Sequence, residues 1–178
     1  RCESSILSVT YIPTGSKVQS TNMLVVSHSD NYIRFYDVST RYQLTNTLKV
    51  KKAFVVPESQ TVIRWASEHQ RLFAASRSGV VSVIHPDDPN PVGRERIHNS
   101  AITDMIIHGG LMFTSSIDSH ITCTDLNKGV VKFAIASGLS HQQGVFHLGV
   151  SDQNQQLFSV GLEPYVLVHS LTNSKMKP

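Results

Sequence analysis

Cysteine is scarce in this chain: 178 residues hold only Cys2 and Cys123, far apart in sequence. That spacing argues against the disulfide framework of a small secreted domain and implies free thiols in a reducing compartment. Charge is scarce too, at 16% charged residues and a net charge of +3, too thin a field to argue for nucleic acid or a membrane surface as partner. No apolar run approaches the ~20 residues that span a bilayer, and no signal-peptide pattern occurs. The chain opens on Arg1 rather than methionine, which reads as a piece of a longer polypeptide or a processed product. The expected location is cytoplasmic. Helical periodicity is missing as well, since no segment carries an apolar stripe at 3.6-residue spacing.

Short alternating strands fill the space instead. The clearest stretch, Ile97–Leu126, reads IHNSAITDMIIHGGLMFTSSIDSHITCTDL. It holds a loop histidine (His98), a strand over Ile102–Ile107, a Gly109-Gly110 turn, a strand over Leu111–Ser115, a turn aspartate (Asp118) and a strand over His120–Asp125. Gly-Gly between alternating runs is a hairpin signal. Gly129–Ala136 supplies an outer strand.

Three further stretches repeat this layout. The first unit has strands at Ile6–Ile12, Met23–Ser27, Tyr32–Val38 and Tyr42–Val50, with a long polar connection over Pro13–Asn22. The second has Val62–Ala66, Leu72–Ser76 and Val80–His85, after which a Pro/Asp/Asn loop leaves its fourth strand hard to place. The last has Val145–Val150, Leu157–Val160 and Tyr165–Leu171, with no clear outer strand before the polar tail TNSKMKP. The third strands end at Tyr36, Ile84, Thr124 and His169, steps of 48, 40 and 45 residues. The chain is thus all-β, with about four antiparallel units spanning roughly residues 4–50, 58–97, 98–136 and 141–172.

The residues resemble those of the WD-repeat β-propeller family. Its repeat ends the third strand in Trp-Asp and joins a loop His, a second-strand Ser/Thr, a turn Asp and the Trp in a hydrogen-bonded tetrad. In the third unit His98, Thr114 and Asp118 fall on the first three positions, and Thr124-Asp125 replaces Trp-Asp. In the fourth, His141 and Ser159 match, Glu163 replaces the aspartate and His169-Ser170 the dipeptide. In the first, Asp30 takes the turn position, Tyr36-Asp37 stands for Trp-Asp and Val26 occupies the hydroxyl position, while the second keeps Gly79, with Ser78 at the aspartate position.

The resemblance implies a β-propeller of WD-repeat type with about four blades present. A propeller blade buries both faces against neighbours, so four blades imply an incomplete ring, completed by the remaining blades of a parent chain or by another copy. It further implies a non-catalytic scaffold for protein–protein interactions, without cofactor. The tetrad residues, His98, Thr114, Asp118, Asp30, Tyr36, His141, Ser159 and Glu163, would be structural staples. Partner contacts are expected at the turn residues Ser29, Arg77, Ile117 and Leu162, where loops project. The string HQQGVFHLGVSDQNQQLFSVGLEPYVLVHSL, with IRFYDVST in the first unit, is also similar to the repeats of large WD proteins of cilia and flagella. That likeness implies a structural component of a cilium or flagellum cytoskeleton.

Reactive motifs are missing. No Gly-rich loop runs into Lys-Ser/Thr for phosphate, and no Gly-x-Ser-x-Gly elbow is present. His28-Ser29-Asp30 has triad composition, but neighbours on a strand point to opposite faces. Nine histidines are scattered without metal-ligand spacing, so no metal is expected. Asp87 and Asp88, flanked by Pro86, Pro89 and Pro91, read as a solvated turn. Lys49, Lys51 and Lys52 read as an outer edge protected from pairing, and Trp65 as core. The alternative class is a hydrolase or lyase with a central-channel site, for which only Asp104 and His147 come near, or a reader of peptides or nucleic acid, for which no aromatic cage or basic rim is evident.

Overall fold

A computed structural model describes residues 4–14, 22–49, 51–52, 56–86, 93–128, 130–135 and 141–171. The chain divides into two compact units, residues 1–95 and 96–178. All the regular structure among the described residues is β-strand.

The first unit opens with β1 (Ile6–Ile12), β2 (Met23–His28), β3 (Tyr32–Asp37) and β4 (Gln43–Lys49), an antiparallel meander in sequence order. A two-residue ladder follows, β5 (Lys51–Lys52) against β6 (Val56–Pro57). A second four-stranded sheet then runs through β7 (Gln60–Ala66), β8 (Arg71–Ser76), β9 (Val80–Ile84) and β10 (Gly93–Arg96). The second unit holds β11 (Ile102–His108), β12 (Leu111–Ser116), β13 (Ile121–Asp125) and β14 (Val130–Ile135) in one sheet, and β15 (Val145–Ser151), β16 (Gln156–Gly161) and β17 (Val166–Ser170) in another.

Period-two alternation assigns the faces. In the first sheet Ile12, Met23, Val25, Ile33 and Phe35 point one way and pack with Ile63, Leu72, Ala74 and Ile84 of the second, with Trp65 half-buried beside them. In the second unit Phe113, Ile121 and Cys123 pack with Val145 and Leu157. Where inner strands of neighbouring sheets meet, side chains satisfy backbone groups that no ladder reaches. The hydroxyls of Ser8 and Thr10 accept the backbone N–H of Ile63 and Trp65, each at 3.2 Å. In the second unit the Thr103 hydroxyl donates to the Val145 carbonyl, and Asp104 Oδ2 accepts the Leu148 N–H at 3.1 Å.

Turn chemistry sets the register. Gly109 and Gly110, with φ of 56° and 73°, make the two-residue turn between β11 and β12 that left-handed glycines favour. Asn31, Gly79 and Ser119, just past the β2–β3, β8–β9 and β12–β13 turn positions, share positive φ values of 70°, 83° and 67°.

Several particulars differ from expectation. The second sheet does have a fourth strand, β10, a short one of Gly93–Arg96. Lys51 and Lys52 form β5 rather than the outer edge of the first sheet. The fourth sheet has three strands among the described residues, the three read from the sequence. The connection over 15–21, Asp87, Asp88 and the tail 172–178 lie outside the described residues.

Candidate functional site

Each of the four larger sheets carries a hydrogen bond from the loop ahead of its first strand to the turn between its second and third. In the third sheet His98 Nδ1 lies 3.2 Å from both Asp118 carboxylate oxygens, and its Nε2 lies 2.9 Å from the Thr114 hydroxyl. With a carboxylate at Nδ1, that nitrogen carries the proton and donates, and the Thr114 O–H donates to Nε2. Asp118 also accepts the N–H of Asn99 at 2.8 Å and of His120 at 3.0 Å. Burial pushes the His98 imidazole below its ordinary value, and the Asp118 carboxylate opposes this only in part. Burial pushes the Asp118 carboxyl up, but the backbone N–H groups and His98 outweigh it and hold it low.

The fourth sheet extends the chain by one member. His141 Nδ1 donates to Glu163 Oε2 at 2.8 Å, and the Ser159 hydroxyl lies 3.2 Å from both His141 Nε2 and His169 Nε2. Glu163 Oε1 accepts the N–H of Gln142 and Gln143 at 2.7 and 3.1 Å. Desolvation pushes the Glu163 carboxyl up, yet backbone N–H groups and the His141 imidazole together bring it to about 2. Tyr165 stacks on His141 with ring centroids 5.8 Å apart. Gly161 is required here: a Cβ on it would meet His141 Cγ at 2.7 Å and the Gly144 carbonyl at 2.6 Å.

The first sheet uses other chemistry. The Ser4 hydroxyl donates to Asp30 at 3.1 Å, and Arg34 grips both carboxylate oxygens at 3.1 and 2.6 Å. That guanidinium is the main reason the Asp30 carboxyl sits at about 2. Among the described residues Asp30's partners are Ser4, Tyr32 and Arg34. Tyr36, assigned to this tetrad from the sequence, is not one of them. It pairs across the sheet with Leu24 and Leu44, two residues further along the strand than Arg34, which pairs with Val26.

The second sheet inverts the usual roles. Glu58, in the loop ahead of β7, accepts the Ser78 N–H at 2.7 Å and the Ser78 hydroxyl at 3.0 Å. The carboxylate stands in the loop and the hydroxyl in the turn. Sequence reasoning missed Glu58, Ser4 and Arg34 because it looked for a histidine in the loop and an aromatic at the strand end. The usable signal was loop-to-turn spacing with complementary polar chemistry.

Thr124 and His169 occupy equivalent strand ends but differ in reach. His169 spans to Ser159, whereas the Thr124 hydroxyl is buried with no hydrogen-bond partner. The sheet-spanning imidazole is long enough, and the threonine is not.

The network residues are sealed. His98, Thr114, His141, Ser159 and His169 are all buried, and each polar atom bonded above is engaged by the fold. By contrast Ser29, Arg77, Ile117 and Leu162, each immediately ahead of a turn residue of the network, are all exposed. The turn of one sheet also ties to the loop of the next. Ser59 donates to Asn31 Oδ1 at 2.8 Å, and the Ser119 hydroxyl both donates to the Gln142 carbonyl and accepts the Gly144 N–H. Asp104, the acid considered for a channel site, is occupied by the backbone N–H groups of Met105 and Leu148. His147 is exposed, with its Nδ1 3.9 Å from Asp104. Among the described residues no group of three His, Cys, Asp or Glu side chains is placed to hold a metal ion, and no helix is long and apolar enough to cross a membrane.

No family model and no curated protein sequence matches the chain. Solved structures do. The computationally designed Ika4 protein, in its crystal structure, is similar with a TM-score of 0.72 and 19% identity, over 94% of this chain and 92% of that one. The computationally designed Ika8 protein is similar with a TM-score of 0.70 and 19% identity, over 98% of this chain and 48% of that one. The chain therefore spans about half the length of the Ika8 protein. At such identity the likeness defines the fold, an all-β array of small antiparallel sheets, and leaves function to the residues.

Proposed function

We propose that the four sheets are blades of a WD-repeat-type β-propeller and that the protein is a non-catalytic scaffold binding protein partners through exposed turns. The observation that carries this reading is the division of labour at each turn. In the third and fourth sheets the imidazole and hydroxyl groups that would be needed for chemistry are buried, and the acids of all four turns and loops are half-buried and already paired within the fold. The residue just before each turn group, Ser29, Arg77, Ile117 or Leu162, faces solvent. A loop-to-turn bond recurring once per sheet at the same topological place supports the repeat assignment, although only the third and fourth sheets use the His–hydroxyl–acid set.

The ring is proposed to be incomplete, closed by further blades of a parent chain or by another copy. Exposed apolar side chains on the outward faces of the first and last sheets favour this: Val9, Tyr11 and Leu44 on one, and Val160, Val166 and Val168 on the other. Placement in a cilium or flagellum cytoskeleton rests on the sequence resemblance alone. Affinity capture with the wild-type chain and with a variant carrying Arg77→Glu, Ile117→Asp and Leu162→Asp tests the scaffold reading. Partners retained by the wild type and lost by the folded variant are expected; an unchanged partner set would refute the turn surface.

A further inference from the structure

The Glu163–His141–Ser159–His169 chain has a proton count that can be read from its geometry. Glu163 takes the Nδ1 proton of His141, which leaves His141 Nε2 bare, so Ser159 gives it its single hydroxyl proton. The Ser159 oxygen is then free to accept, and His169 must present Nε2–H to it. That fixes the His169 tautomer and leaves its Nδ1 bare. This nitrogen is buried with no partner, in a side chain with 0% exposure.

We propose that the fourth sheet is an acid-released latch: the chain from Glu163 to His169 holds the β16–β17 hairpin closed only while it carries no extra proton. A proton added to His169 Nδ1 makes a buried N–H with no acceptor, and the fold relieves that stranded donor by opening the hairpin.

Among the described residues no acceptor stands at His169 Nδ1 to take up the charge. β16, the strand paired with β17, has no ionisable side chain. The facing sheet contributes the buried Cys123 and Asp125, and Asp125 is already bonded to the N–H groups of Asn127 and Lys128. His147 on β15 is exposed, and pairs with Val160 on the opposite face of the sheet from Leu148 and Ser159. Tyr165 lies against His141. In keeping with this, burial and then the neighbouring His141 push His169 below its ordinary value. The latch rests on the geometry of this sheet and is independent of the partner reading above.

Hydrogen-exchange protection of the β16 and β17 amides, measured from pH 7.5 to 5.5 on the full chain, tests it directly. The latch predicts a loss of protection approaching about tenfold in β16–β17, the most that one imidazole can contribute between these pH values, with β7–β9 unaffected because the staple there is Glu58–Ser78. His169→Gln keeps a donor for Ser159 and removes the titration, so its profile should be flat. Nitrogen-15 spectra of wild-type histidines provide a second readout, with His169 Nδ1 expected bare at pH 7.5. Protection that does not change with pH, the same loss in His169→Gln, or a proton found on Nδ1 with the hairpin intact would each overturn the latch.

Discussion

Ser159 Oγ and His169 Nε2 lie 3.2 Å apart in the interior of the last sheet, while Thr114 and Thr124, at the same offset in the sheet before it, do not meet. The consequence is a buried Thr124 hydroxyl without a partner. Thr124→Val keeps the shape and removes the stranded group, and it is expected to stabilise the chain by about 1 kcal/mol. Urea unfolding monitored by circular dichroism measures this, and a destabilised variant would mean that the hydroxyl is satisfied.

Gly161 leaves no room for a methyl group between the His141 ring and the Gly144 carbonyl. Gly161→Ala is therefore expected to cost about 1–3 kcal/mol through overpacking. Because the clash falls on the Glu163–His141 bond, loss of β16–β17 hydrogen-exchange protection should exceed the loss in the first unit.

Asp118 accepts from His98, Asn99 and His120 together. Asp118→Ala would strand the buried His98 N–H and is expected to cost about 1–3 kcal/mol. Asp118→Asn retains an acceptor oxygen and should recover part of that loss in the same unfolding measurement.

Stability should fall in two acid windows. His98 and His169 sit below their ordinary value of 6.5 in the fold, so below that pH the unfolded chain binds more protons and stability drops as pH falls. Asp30 and Glu163 sit at about 2 against ordinary values of 3.8 and 4.5. Their contribution is complete above the ordinary values and is lost as pH falls toward about 2. Unfolding midpoints recorded from pH 8 to 2 should show both declines, and Arg34→Ala should shrink the lower one by releasing Asp30.

The strands were legible from alternation and turn residues because each sheet has one buried face, which imprints a period of two on the sequence. β10 escaped notice because a strand of four residues, Gly93–Arg96, carries no apolar alternation. The β5–β6 ladder escaped for the same reason. In the candidate site, His98 with Asp118 and His141 with Glu163 could be read because their residue types match a familiar pattern. Ser4–Asp30 and Glu58–Ser78 could not, since hydrogen bonding asks only for a donor facing an acceptor and is indifferent to which residue supplies each. Arg34 was hidden for a related reason: its partnership with Asp30 arises from strand direction after the turn, not from a motif.

The four loop-to-turn bonds have a consequence for how a chain of look-alike sheets avoids misassembly. Each loop offers its own chemistry: a serine at Ser4, a carboxylate at Glu58, and imidazoles at His98 and His141. Were the Glu58 loop to engage the turn of any other sheet, it would meet Asp30, Asp118 or Glu163, carboxylate against carboxylate. Repeats that share a backbone are prone to exchanging segments during folding, and a repulsive mismatch at the wrong address discourages it. The departure of the second sheet from the common pattern thus works as a lock-and-key label, directing that segment to its own place in the array.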